Sequence, residues 1–142
     1  MRFSLAVFAT VLLVACSEID GGDGGGEAPA PEPITTESGL VITHLVEGTG
    51  ATPGRRAVVR VHYHGTFPDG TVFDSSVDRG EPANFKLGQV IRCWTEALQL
   101  MKEGGKASLI CHPKIAYGSS GAGKRIPPDS TLHFDVELIG VY

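Results

Sequence analysis

Basic charge is scarce in this chain. Twelve Lys and Arg stand against sixteen Asp and Glu, a formal net charge of -4 over 142 residues. Glu18, Asp20, Asp23, Glu27 and Glu32 lie near the N-terminus with no basic residue among them, and from Ile34 onward the two signs balance. A nucleic-acid-binding surface is therefore excluded on electrostatic grounds. Cysteine is scarce too: Cys16, Cys93 and Cys111 are the only three, with no C-x-x-C spacing. There is no H-E-x-x-H, no G-x-S-x-G and no P-loop, so the signatures of zinc hydrolysis, serine hydrolysis and nucleotide binding are all missing. No apolar run reaches the ~20 residues of a membrane span. Of the five histidines, only His62 and His64 sit at i, i+2, on what reads as the outer face of a strand. That is an ordinary exposed position, and neither a metal nor a cofactor is expected.

What is present begins with an address. Arg2 is followed by the mostly apolar Phe3–Val14, and residues 1–15 read as a secretion signal. Leu13-Val14-Ala15-Cys16 resembles the bacterial lipobox, in which cleavage precedes a cysteine that then carries lipid. Ser17 follows, where retention in the inner membrane would call for Asp; similarity to Gram-negative lipoproteins implies the periplasmic face of the outer membrane. Residues 16–33, after the cysteine, are acidic and rich in glycine and proline, with almost nothing to bury, and read as a disordered tether. Its end-to-end distance would be roughly 20–25 Å.

From Ile34 to Tyr142 the texture is that of one domain of strands and turns. Gly39–Glu47 is β-branched. Ala57–Thr66 alternates, with Val59, Val61 and Tyr63 on one face and Arg60, His62 and His64 on the other. Thr71–Asp74, Gly105–His112 and Thr131–Leu138 read as further strands; Ala107, Leu109, Cys111, Leu132, Phe134, Val136 and Leu138 face inward. Asp74–Gly80 reads as loop, Phe85-Lys86-Leu87 as a lead-in to the helix, and Ala116–Pro128 as a long glycine-rich loop. Val90–Met101 is the one amphipathic helix, with Trp94, Ala97, Leu98 and Met101 at i, i+3, i+4 and i+7. Glu96 is expected in its first turn, and Gly104-Gly105 is expected to end it. The fold class is α+β: an antiparallel sheet with one buried face covered by one short helix.

Val61-His62-Tyr63-His64-Gly65, Asp69-Gly70-Thr71-Val72-Phe73-Asp74-Ser75-Ser76, Val90-Ile91 with Trp94-x-Glu96-Ala97-Leu98, Met101-x-x-Gly104-Gly105-Lys106, Ala116-Tyr117-Gly118, and Ile126-Pro127-Pro128 with Thr131-Leu132 through Leu138 occur in that order. Together they resemble the FKBP-type peptidyl-prolyl cis-trans isomerases over about Ser38 to Leu138. The resemblance implies a twisted, half-open sheet wrapped on the helix. It implies an enzyme that isomerises X–Pro bonds in folding envelope proteins without a covalent step. Tyr63, Phe73, Asp74 and Tyr117 would act at the reacting amide, and Val90, Ile91, Trp94, Ile126 and Phe134 would bind the substrate. Macrolides of the FK506 and rapamycin type are implied ligands, and the protein would be a lipid-anchored monomer. Ala83, Cys93, Ala122 and Arg125 depart from the family pattern, and alter the rim more than the floor. Two other readings stay open: a module that holds proline-containing segments with little turnover, and a structural lipoprotein whose aromatics are simply core.

With Cys16 carrying lipid, Cys93 and Cys111 are the two cysteines left in an oxidising compartment. The helix from Trp94 advances about 12 Å and the returning strand about 17 Å, which brings Cys111 back beside Cys93. A disulfide is expected; two buried free thiols are the alternative.

Overall fold

The computed structural model describes residues 29–142. The signal, Cys16 and most of the tether lie outside the described residues.

Regular structure starts at Ile34. In chain order the elements are β1 (Ile34–Thr35), β2 (Val41–Val46), β3 (Val58–Thr66), β4 (Val72–Ser75), α1 (Ser76–Arg79), β5 (Ala83–Lys86), α2 (Arg92–Gln99), β6 (Lys106–Cys111) and β7 (Leu132–Val141). Short 3-10 turns lie at Leu87–Gln89, Pro113–Ile115 and Gly118–Ser120. All strands join one antiparallel sheet in the order β1-β2-β6-β7-β3-β4. β3 pairs along its length with β7, and its other edge is shared: β5 takes Val58–Val61 and β4 takes His64–Thr66. Register shifts at His44/Val46, Gly65/Thr66 and Arg60/Val61 bend the strands and add twist, as bulges do. The sheet thereby curls around α2.

The alternation read from the sequence is the alternation observed. Val59, Val61, Tyr63, Ala107, Leu109, Cys111, Leu132, Phe134, Val136 and Leu138 are all buried. Against them lie Trp94, Ala97 and Leu98 of α2 and Met101 just past its end, none more than 4 % exposed. Burying a large apolar side chain contributes roughly 1.5–3 kcal/mol, so this face, not intrinsic propensity, holds an eight-residue helix in place.

The helix ends differ from expectation. α2 starts at Arg92, with Ile91 as N-cap accepting from the amides of Trp94 (3.0 Å) and Thr95 (3.1 Å) through its carbonyl. Glu96 thus falls in the second turn, and the first turn holds no acid. The helix also stops at Leu100, ahead of the glycine pair. Gly104-Gly105 instead makes the reversal into β6: a Cβ on Gly105 would meet the Lys102 carbonyl at 2.9 Å. Asp74–Gly80 is not a plain loop, because Ser75 caps a single helical turn by accepting from the Asp78 amide at 3.2 Å. Ala83–Lys86 is a strand, and β7 runs three residues beyond Leu138.

Cys93 and Cys111 form a disulfide, with their Cα atoms 5.7 Å apart and both residues fully buried. The bridge ties the first turn of α2 to the last residue of β6.

Candidate active site

An open pocket of about 310 Å³ lies where α2 meets the β3–β4 end of the sheet. Its walls come from separate elements. β3 supplies Tyr63, β4 supplies Phe73 and Asp74, β5 supplies Phe85, and β7 supplies Phe134. The segment entering α2 supplies Gln89, Val90 and Ile91, α2 itself supplies Trp94, and the loop after β6 supplies Tyr117.

Trp94 is the floor. Its ring meets Tyr63, Phe85 and Phe134 edge-on, with centroids 5.2, 5.4 and 5.3 Å away. Phe73 meets Phe134 edge-on at 5.5 Å. Such edge-to-face pairs add to what burial alone supplies and fix ring orientation. The Trp94 indole N–H is buried without a partner among the described residues. Phe73 fits only because residue 65 is glycine: a Cβ there would lie 2.6 Å from the Phe73 ring and 3.0 Å from that of Phe134.

The polar side is built around Asp74. The Tyr63 hydroxyl donates to Oδ2 at 2.7 Å, Arg79 Nη1 donates to Oδ1 at 2.5 Å, and Arg79 Nη2 donates to the Tyr63 oxygen at 2.9 Å. Burial works against the Asp74 charge, but these hydrogen bonds and the positive charges of Arg79 and Arg125 hold its carboxyl below the ordinary carboxylate range. Burial, aided by Asp74 and opposed by Arg79, pushes the Tyr63 phenol up; burial and the Asp74 charge do the same to Tyr117. Both tyrosines therefore stay protonated donors. The α1 turn delivers Arg79 to this cluster. Behind it, the Ser76 hydroxyl accepts from the Tyr63 amide at 2.8 Å and pairs with His62 at 3.0 Å, and the Ser75 hydroxyl pairs with His64 at 2.9 Å. The two outward histidines thus brace the backbone of a pocket residue.

Eight of the nine side chains singled out from the sequence for the pocket line it: Tyr63, Phe73, Asp74, Val90, Ile91, Trp94, Tyr117 and Phe134. Ile126 does not. It is 5 % exposed in the core and exchanges backbone hydrogen bonds with Ala122, closing the loop beside Tyr117. Its side chain packs in the hydrophobic core. Phe85 and Gln89 line the pocket and were not singled out. Phe85 belongs to a four-residue strand with only Ala83 and Phe85 turned inward, too short for alternation to register.

No lining residue is Ser, Cys, Lys or His, and the one carboxylate is occupied by Tyr63 and Arg79. Among the described residues, three donors on lining side chains make no hydrogen bond within the protein: the Tyr117 hydroxyl, the Gln89 amide and the Trp94 indole N–H. The arrangement suits binding and orienting a small apolar ring with carbonyl groups on either side.

The sequence model described as FKBP-type peptidyl-prolyl cis-trans isomerase matches residues 49–139. The chain is 52 % identical over 107 residues to a probable FKBP-type peptidyl-prolyl cis-trans isomerase of Haemophilus influenzae, covering 75 % of this chain and 44 % of that protein. It is 54 % identical over 107 residues to the FKBP-type 22 kDa peptidyl-prolyl cis-trans isomerase of Escherichia coli, covering 75 % and 52 %. Among solved structures, it superposes on the crystal structure of FkpA from Escherichia coli with a TM-score of 0.75 at 47 % identity, over 77 % of this chain and 51 % of that one. The chain thus spans about half the length of the curated relatives it matches.

Proposed function

We propose that this chain, which belongs to the FKBP-type peptidyl-prolyl cis-trans isomerase family, accelerates rotation about X–Pro bonds by holding the prolyl ring in its aromatic pocket. The observation that carries the reading is the pocket itself: five rings around a Trp94 floor, with its one carboxylate, Asp74, held by Tyr63 and Arg79.

The physics follows from the amide. Rotation costs roughly 18–20 kcal/mol because twisting breaks resonance. The twisted amide has lost charge separation, so a water-poor apolar pocket disfavours the planar form relative to it. The Ile91 N–H holds a substrate carbonyl, and the Tyr117 hydroxyl donates to a second one beside the turning bond. Asp74, fixed by Arg79, keeps Tyr63 oriented as a wall. Desolvation, positioning and two hydrogen bonds together need supply about 6–8 kcal/mol, tenfold in rate for each ~1.4 kcal/mol. No covalent intermediate is involved.

The substrates are folding envelope proteins containing X–Pro bonds, and the protein acts as a monomer held to the periplasmic face of the outer membrane by lipid on Cys16. Leu13-Val14-Ala15-Cys16 and the spacer behind it support this placement, and no helix among the described residues is long and apolar enough to cross a membrane. An FK506- or rapamycin-type macrolide would occupy the same pocket, with contacts at the rim altered by Ala83, Ala122 and Arg125.

The test is a coupled isomerisation assay on residues 34–142 with short X–Pro peptides. Catalysis at micromolar protein is expected; uncatalysed rates alongside measurable peptide binding would replace the enzyme with a holding module. Mass spectrometry of the mature protein tests the anchor: an acylated Cys16 at the N-terminus is expected, and an unmodified chain would make it a freely soluble isomerase.

A further inference from the structure

A second cleft, of about 380 Å³, adjoins the prolyl pocket. Val90 stands between them, since it lines both. The other sides are Arg55, from the turn before β3, Gly88 from the turn before Val90, and Arg92, Thr95, Glu96 and Gln99 along α2.

Two features of this cleft are not used in holding the fold together among the described residues. Arg55 and Arg92 both face it, both are exposed, and among the described residues neither has a carboxylate within salt-bridge distance. The one acid in the cleft, Glu96, accepts a hydrogen bond from the Ser38 hydroxyl. Arg92 also stands at the first position of α2, where the macrodipole favours an acid, and no acid in that turn offsets it. The two guanidinium groups and the positive end of the helix therefore outweigh the single Glu96 carboxylate in the cleft, next to Ile91 of the prolyl pocket.

We propose that this cleft is a specificity subsite that takes the carboxylate of an acidic residue flanking the substrate proline. The proposal rests on the reading of the neighbouring pocket as the prolyl site. A peptide seated there leaves it as extended chain, about 3.3–3.6 Å per residue, and one that passes over Val90 puts a side chain within reach of both arginines. A guanidinium binds a carboxylate through paired, charge-assisted hydrogen bonds. Two of them distinguish Glu or Asp from Lys, which they repel.

The test compares peptides that share one X–Pro core and carry Glu, Ala or Lys at each of the two positions on either side. Binding is read from quenching of Trp94, the only tryptophan, and turnover from kcat/KM, for the domain and for R55E/R92E. The Glu peptide at one placement is expected to exceed its Lys counterpart about tenfold in kcat/KM at low salt. The ratio should shrink as salt screens the charges and invert in R55E/R92E, with the Ala peptide turned over alike by both proteins. Equal Glu, Ala and Lys rates in the wild type, or a ratio unchanged in R55E/R92E, overturns the subsite. If instead the Ala peptide is bound but not turned over, the isomerase reading fails, and the binding ratios alone still decide the subsite.

Discussion

Opening the Cys93–Cys111 bridge is expected to make the domain markedly less heat-stable while leaving the pocket at work. The cysteines are 18 residues apart in sequence. Closing a loop of that size in the unfolded chain removes entropy worth about 3 kcal/mol. For the roughly 110 residues that follow Ile34, an unfolding entropy near 2.1 cal/mol/K per residue converts this into a midpoint drop of about 13 °C. Both cysteines are fully buried, so the domain should be unfolded, reduced with a phosphine and refolded in reductant, with C93A/C111A as a second route to the same state. Thermal unfolding followed by Trp94 fluorescence gives the midpoint. Cys93 adjoins Trp94, which makes the bridge a candidate for holding the pocket floor. The ring contacts argue otherwise: three edge-on partners at 5.2–5.4 Å stay when the bridge is gone, together worth roughly 1.5–4.5 kcal/mol beyond burial. The reduced domain, assayed well below its midpoint, is thus expected to keep most of its activity. An unchanged midpoint would refute the loop argument. Loss of activity while the reduced domain is still folded would show that the bridge, and not the aromatic contacts, fixes Trp94.

Two further predictions concern the walls of the pocket. Gly65→Ala places a methyl against the Phe73 and Phe134 rings, so it should lower kcat/KM through a displaced wall, and a crystal structure should show the Phe73 ring moved; wild-type activity would mean that ring position is not limiting. For Asp74 the folded-state carboxyl lies below its ordinary value, so its stabilising effect is present above about pH 4 and is lost as pH falls through the lower folded value. Asp74→Asn should flatten the acid limb of stability between neutral pH and about pH 3, by no more than about 1 kcal/mol because the pair is partly exposed; denaturant midpoints across that range provide the check.

Much of this molecule was legible before its structure. Strands β3, β6 and β7 announce themselves because one face is buried and the other wet, so alternation survives over six to ten residues. The disulfide was legible because a helix and a returning strand of known rise leave the two cysteines side by side. The pocket aromatics were not legible as a pocket from periodicity, which marks Tyr63 and Phe134 only as core; their convergence came from the family motifs. Three things were hidden. β5 is too short to show a period. α1 reads as a turn because Ser75 and Gly80, which cap it, are turn residues as well. The true start of α2 was hidden because Val90 and Ile91 are apolar like the helix face but extended, with Ile91 at φ -56, ψ 148. That two-residue difference puts Arg92 at the helix N-terminus, the feature on which the acidic subsite depends.

Exclusion of water by the ring walls, more than any single hydrogen bond, is expected to lower the barrier. The deciding measurement is kcat/KM for Phe73→Ala and Tyr117→Phe on the same X–Pro peptide under the same conditions. Tyr117→Phe removes one hydroxyl, worth about 1 kcal/mol and therefore roughly fivefold in rate. Phe73→Ala opens the pocket wall to water and should cost more, at a residue whose ring meets both Phe67 and Phe134. The larger loss is expected in Phe73→Ala; abolished activity in Tyr117→Phe with activity spared in Phe73→Ala would show that the hydrogen bond, and not water exclusion, lowers the barrier.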